Sequence, residues 1–370
     1  MRIVGFLNAY SQGLSGGDAC FLNIAKEIGL KEDLVIVTSK MGRELCEDRA
    51  IKAKFIVTSR ETKFGNVYFI YLERLLKTFL FLRSRPFKDG VVYASSDFLP
   101  DVLPAWLLRK SKHRLWIQKI FHIVPPERII SYLFQKVSLF LIKSADLIIT
   151  DNQGLKEELI GRHGFFTGQV EFISPGIDLK KIATITPSKE RYEGIFVGQL
   201  RKSKGVFDLI PIWKKVIKVR PAAKLAVIGK DVGGTEKILR MIIQKEKLEK
   251  HIIILGFLPK NEDVYALMKA SKVLLLPSYE EGFGMVAAEA LSCGIKVVAY
   301  RLPALEENFK SVVKMVGVGD VDAFAGELLK VFKGNRPNLN NAKLLVNRFD
   351  KIDVINKELT LIKNALKSAR

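Results

Sequence analysis

The run Val273–Tyr300, VLLLPSYEEGFGMVAAEALSCGIKVVAY, places two glutamates eight residues apart, Glu281 and Glu289, around a loop with glycines at 282 and 284. Its pattern reads as a strand ending at Leu276, a loop Pro277–Gly284, a helix from about Met285 to Cys293, and a new strand after Gly294. A glycine-bearing loop that enters a helix presents unpaired backbone N–H groups and a positive dipole end, a setting that suits a phosphate. Carboxylates beside a phosphate are useful where hydroxyl groups donate hydrogen bonds to them. A ligand with phosphates and hydroxyls, a sugar nucleotide, satisfies both halves: one acid can take the sugar hydroxyls and the other the ribose hydroxyls. An ordinary helix with solvated acids does not explain the two loop glycines.

Short β-branched runs alternate with helix-period segments along all 370 residues, which is length enough for two domains. Strands are expected near Ile3–Leu7, Leu34–Thr38, Phe55–Thr58, Val91–Ala94, Leu115–Phe121, Leu147–Thr150 and Val170–Ile173, with helices such as Ala19–Ile28, Tyr68–Leu82 and Glu127–Lys143 between them. The polar, proline-bearing stretch Ser174–Gly194 interrupts the alternation, which restarts with strands at Ile195–Val197, Leu225–Ile228, Ile252–Leu255, Val273–Leu276 and Lys296–Ala299. This predicts an α/β protein of two doubly wound, Rossmann-like domains: residues 1–175, a linker 176–193, and residues 194–350. A final helix, 351–370, carries Ile352, Ile355, Leu359, Ile362 and Leu366 on one stripe and is expected to cross back onto the body. Side chains at strand ends are candidates for a site in such folds, and His122 directly follows the fifth strand.

The sequence E-G-F-G-x-x-x-x-E-A-L-x-x-G resembles the signature of retaining glycosyltransferases of the E-x7-E type (group 1, family 4), which have the GT-B architecture of two domains facing a cleft. The resemblance implies transfer of a hexose from a UDP- or GDP-sugar to a hydroxyl or phosphate acceptor, with retention and without a metal. It places Gly282, Phe283, Gly284, Met285, Val286 and Glu289 at the donor, and Glu281 with His122 in the catalytic group. Phe196–Gly205, FVGQLRKSKG, is similar to the loop that opens the family's nucleotide domain, with Lys204 on the diphosphate. Gln199 stands where the family usually has arginine, and Arg201 or Lys202 is available to replace the missing charge. Ser15-Gly16-Gly17-Asp18 is similar to the family's glycine loop, with Gly16 and Gly17 near the donor. Pro175-Gly176-Ile177-Asp178 resembles its N-G-x-D turn. No cofactor is implied, because the nucleotide sugar is a substrate.

Lysine and arginine number 60 against 39 aspartates and glutamates, a net charge of +21 that favours anionic partners. Residues 51–150 carry 17 basic and 7 acidic residues, and the greasy helix within Val67–Phe87 sets Arg74, Lys77, Arg83 and Arg85 beside Phe79, Leu80, Phe81 and Leu82. Such a helix suits an anionic membrane surface and a sugar, glycan or lipid-linked acceptor; its plainer reading is a core helix with a basic edge. No stretch has the ~18 uninterrupted apolar residues of a membrane span. The three scattered cysteines, Cys20, Cys46 and Cys293, fit a reducing compartment, so a cytoplasmic protein, peripheral on the inner face of the plasma membrane, is expected. A nucleic-acid-binding role lacks any recognised module, and no nucleic-acid partner is expected. An epimerase or hydrolase on the same scaffold, or an inactive sugar-nucleotide binder, remains open.

Overall fold

The computed structural model describes residues 2–9, 16–59, 67–84, 90–109, 114–334 and 340–368; Ser15, Arg85 and His113 lie outside them. The chain forms two compact units, Met1–Gly176 with Lys351–Arg370, and Ile177–Asp350.

In the first unit β1 (Arg2–Leu7), β2 (Asp33–Thr38), β3 (Lys54–Val57), β4 (Gly90–Ala94), β5 (Arg114–Ile120), β6 (Leu147–Thr150) and β7 (Val170–Phe172) make one sheet, ordered β3-β2-β1-β4-β5-β6-β7. Every neighbouring pair is parallel. The helices between them are α1 (Gly16–Lys31), α2 (Lys40–Asp48), α3 (Val67–Ser84), α4 (Leu99–Arg109), α5 (Ile129–Ile142) and α6 (Gln153–His163). Parallel strands covered on both faces bury nearly every side chain, which is why β6 reads Leu-Ile-Ile-Thr without alternation. Two apolar clusters fill the two sides of this sheet.

The second unit repeats the plan. Strands β8 (Tyr192–Val197), β9 (Leu225–Ile228), β10 (Ile252–Gly256), β11 (Ser271–Leu276), β12 (Lys296–Tyr300) and β13 (Lys314–Val316) are ordered β10-β9-β8-β11-β12-β13, again all parallel. Its helices are α7 (Leu179–Thr184), α8 (Leu209–Val219), α9 (Thr235–Lys245), α10 (Asn261–Lys269), α11 (Met285–Ser292), α12 (Pro303–Phe309), α13 (Val321–Lys333) and α14 (Asn340–Asn347). The fold is thus two Rossmann-like α/β units. Strand order reverses between β1 and β4 and between β8 and β11, and at such switch points the carboxyl ends of adjacent strands open a crevice.

The polar stretch after Ser174 is more ordered than its composition suggests. Asp178 caps α7 by accepting from the Lys181 amide at 3.0 Å, and Ile182 is buried in the second unit's core. Strand β13, three residues at the sheet edge, is too short to show a pattern in sequence.

The last helix, α15 (Lys351–Ser368), packs on the first unit through Val354, Ile355 and Ile362. Ile352, expected on that stripe, is instead 48% exposed. The buried face is rotated and takes in Glu358, whose Oε2 accepts from Lys119 Nζ at 2.8 Å while Tyr93 donates its hydroxyl to Oε1.

Candidate functional site

Because β8 and β11 are neighbours, with Gly194 paired to Val273, the loops leaving their ends lie side by side. The first is a tight turn over Lys202–Lys204 that closes at Gly205, where φ is +69° and a Cβ would stand 1.8 Å from the Pro277 carbonyl oxygen. Only glycine allows both the left-handed backbone and this approach. The Tyr279 amide donates to the Ser203 carbonyl at 2.9 Å and fastens the two loops together.

That junction brings charge into contact. Lys204 Nζ donates to Glu281 Oε1 at 2.8 Å and to the Glu280 carbonyl at 3.1 Å, and both side chains are largely buried. Arg201 Nη2 pairs with Glu280 Oε1 at 2.8 Å, but its Nε is buried with no partner among the described residues, as is Ser278 Oγ. Gln199 is half-buried just before them and Lys202 is exposed. Of the two cations available to replace a charge at position 199, it is therefore Arg201 that turns into the site.

The second loop leads directly into the start of α11. Gly284 caps α11 at φ +92°, and a Cβ there would come within 2.4 Å of Leu305 Cδ2. The first bond of the helix runs from the Ala287 amide to the Gly284 carbonyl at 2.9 Å, so the Met285 and Val286 amides precede it. Gly282 is half-buried in the same loop. Phe283, named with the donor group, sends its side chain into the core, edge-on to Phe309 and Phe349 with ring centroids 5.5 and 5.1 Å away. It anchors the loop.

One turn past those amides, Glu289 Oε1 accepts from the Tyr265 hydroxyl of α10 at 2.8 Å. Burial pushes the carboxyl up to about 7, against the lowering effect of that bond. An acid raised in the fold stabilises it below the ordinary carboxyl range near ~4.3, and that contribution is lost as pH rises through about 7. Hydroxyls that donate to the carboxylate bind its ionised form. A nucleoside diphosphate whose ribose hydroxyls donate to Glu289 would gain affinity as pH rises to about 7 and then level off. Calorimetry in buffers of different ionisation enthalpy should show proton release on binding. Glu289→Gln should abolish that release and leave only the titration of the terminal phosphate, near pH ~6.

In the first unit Gly17 lies in α1, where a Cβ would stand 2.6 Å from the Phe121 ring. Gly16 is the first residue of the same helix. His122 is exposed just past β5, and its carbonyl accepts from Gln135 Nε2 at 2.8 Å. The same Nε2 donates to Asp97 Oδ2 at 2.6 Å. Asp97 is buried after β4; burial raises its carboxyl, while His122 and Gln135 lower it. Neither Asp97 nor Gln135 carried a motif in sequence.

A second buried network was equally hidden. Asp101 accepts from the Asn8 and Ala9 amides at 2.6 and 3.2 Å and from Ser95 and Ser96 at 3.1 and 2.6 Å, and burial still pushes it up to about 7. Arg74, expected on a basic membrane edge, is instead buried: it donates to the Asn8 carbonyl at 2.7 Å and to Ser59 at 3.1 Å. Asn8 and Ala9, directly after β1, are held by these groups.

Residues 180–344 match the family model for glycosyl transferases group 1. This region is similar to a glycosyl transferase group 1 domain. D-inositol 3-phosphate glycosyltransferase of Corynebacterium jeikeium is 28% identical over 190 residues, 46% of this chain and 45% of that one. An uncharacterized glycosyltransferase of Methanocaldococcus jannaschii is 26% identical over 271 residues, 67% and 64% of the two chains. The match thus spans less than two thirds of either relative. The fold is shared over almost the whole chain with Anabaena HepE, solved in complex with UDP and glucose: the TM-score is 0.77 at 17% identity, over 98% of this chain and 100% of that one. The matched region contains Gln199, Arg201, Lys204, Glu281 and Glu289; Gly16, Gly17 and His122 lie outside it.

Proposed function

We propose that the protein transfers a hexose from a nucleotide diphosphate donor, UDP- or GDP-linked, to a hydroxyl or phosphate acceptor, with retention and without a metal. The observation that carries this reading is the Lys204–Glu281 pair at the β8/β11 switch point, beside the open amides of α11 and one helix face away from Glu289. The diphosphate gains negative charge as the glycosidic bond breaks. Lys204, Arg201 and the Met285 and Val286 amides are fixed in advance where that charge develops, so they stabilise the transition state more than the ground state. Glu281 takes the sugar hydroxyls and Glu289 the ribose. Neither is assigned as a covalent nucleophile, and departure and attack on the same face of the sugar account for retention. His122, exposed at the end of β5, is assigned to the sugar side. The protein works on the cytoplasmic side, where the free thiols of Cys20, Cys46 and Cys293 persist, at a membrane surface that supplies a lipid-linked or glycan acceptor.

The Anabaena protein, also solved in complex with UDP-glucose, makes that compound the first donor to try. A thermal-shift panel of UDP, GDP and ADP should single out one nucleotide, with about 2.7 kcal/mol of stabilisation at one hundred times Kd. Release of that nucleotide from its sugar should require an added acceptor; release without one would mean hydrolysis. Glu289→Ala should weaken nucleotide binding, and Glu281→Ala should damage transfer more than binding. Equal effects of the two would refute the division between them.

A further inference from the structure

Two helices of the first unit are amphipathic in the wrong sense for a protein surrounded by water. On α5 the buried face holds Gln135 and Ser138 beside Leu139 and Ile142, while Ile129, Leu133, Phe134, Val137 and Phe140 are exposed, Phe140 at 75%. On α3 the buried side chains include Arg74 and Thr78, while Phe69, Leu72, Leu76 and Leu80 point outward, Leu80 at 65%. The spacing of each exposed set keeps it on one helix face. Both helices pack against α4, whose Leu103, Trp106 and Leu107 are half-buried. The result is an apolar surface on a single side of the sheet, well beyond the scattered exposed leucines of ordinary proteins.

The charges around it are basic. Lys77 and Arg83 are exposed on α3, and Lys136 and Lys143 lie along one rim of the apolar stripe of α5. Among the described residues along this face the acids are Glu73, which is ion-paired with Lys77, and Glu127 before α5; α5 itself contains none. A second copy of the chain docked on this face would bring these cations together. An anionic bilayer surface takes the apolar side chains into its acyl boundary and meets the lysines and arginines with phosphate groups.

We infer that the α3/α5 face is a membrane-docking surface, laid on an anionic lipid leaflet with Leu80 and Phe140 among the inserted side chains. This rests on the membrane location proposed above and assigns it to one face. It also explains why the polar residues of both helices turn inward: Arg74 and Thr78 hold the chain leaving β1, and Gln135 holds Asp97 and the His122 carbonyl.

The test is flotation with vesicles of phosphatidylcholine alone and of phosphatidylcholine with phosphatidylglycerol, at low salt. The intact protein should float with the anionic vesicles, and the pair Leu80→Ser with Phe140→Ser should reduce the bound fraction by at least about tenfold. Both positions are exposed, so the unfolding midpoint and the nucleotide-induced thermal shift should be unchanged, which verifies the fold and keeps the sugar-transfer reading separate. Intact protein that stays with neither vesicle overturns the membrane location. Intact protein that floats equally well with and without the two substitutions overturns the assignment to this face alone. A dimer in solution that the same substitutions dissolve, with no vesicle binding, would assign the face to a second copy and overturn the proposal.

Discussion

Replacing Glu358 with leucine should destabilise the first unit by about 3–5 kcal/mol, because it leaves the Lys119 ammonium buried without its counter-charge. Both side chains of the pair are only 4% exposed, and Tyr93 loses its hydroxyl acceptor in the same step. For a unit of this size 1 kcal/mol moves the midpoint by ~2–4 °C, so its unfolding transition should fall by roughly 10 °C. Combining Lys119→Met with Glu358→Leu removes both charges and should recover most of the loss, since a buried ion pair is often no better than apolar groups of the same size. Urea unfolding of the single and double variants provides the thermodynamic cycle. A single substitution costing less than ~1 kcal/mol, or a double variant as unstable as the sum of both singles, contradicts this account. The effect reaches the candidate site as well. Lys119 lies at the end of β5, next but one to Phe121, whose ring closes on Gly17, and three residues before His122. The helix α15 therefore braces the strand end that carries both.

How much of this could be read in the sequence follows from what each feature depends on. Apart from the three-residue β13, the strands of both sheets stand out as apolar runs because burial on two faces needs no knowledge of the partner strand. The loop and helix at Pro277–Ser292 stand out because glycines, acids and hydrophobic period fall within one short window. The pairing of Lys204 with Glu281 spans 77 residues and depends on β8 lying next to β11, which no local pattern encodes. By sequence Glu358 is one polar position in an amphipathic helix; only its contacts with Lys119 and Tyr93, more than two hundred residues away, show that it faces inward. The same holds for Arg74, which counts as surface charge until Asn8 and Ser59 are seen around it. Buried polar groups are the general blind spot, because hydrophobic periodicity assigns them to solvent. The outward apolar faces of α3 and α5 are its mirror image: helices that are apolar on nearly every side do not reveal which side turns in.

Lys204→Met should lower kcat/KM for sugar transfer by about 10²–10³, the range for removing one preorganised group that stabilises charge developing in a transition state. Nucleoside diphosphate affinity should fall less, by about tenfold, because the bound diphosphate keeps the α11 amides and Arg201. Lys204→Arg should restore little: a planar fork does not fit where a point charge donates at once to Glu281 Oε1 and to the Glu280 carbonyl. The substitution also strands Glu281, whose side chain is 11% exposed, so some loss of stability is expected and must be separated from the catalytic effect. Lys204→Met combined with Glu281→Gln serves this purpose. It should regain the midpoint without regaining transfer. Arg201→Met, which removes the cation proposed to replace the charge absent at Gln199, should weaken nucleotide binding and transfer together, since its guanidinium is held by Glu280 before any ligand arrives. If Lys204→Met instead leaves transfer within a factor of ~3 while nucleotide binding collapses, the lysine only holds the ground state. Stabilisation of the departing diphosphate would then have to come from the amides of Met285 and Val286.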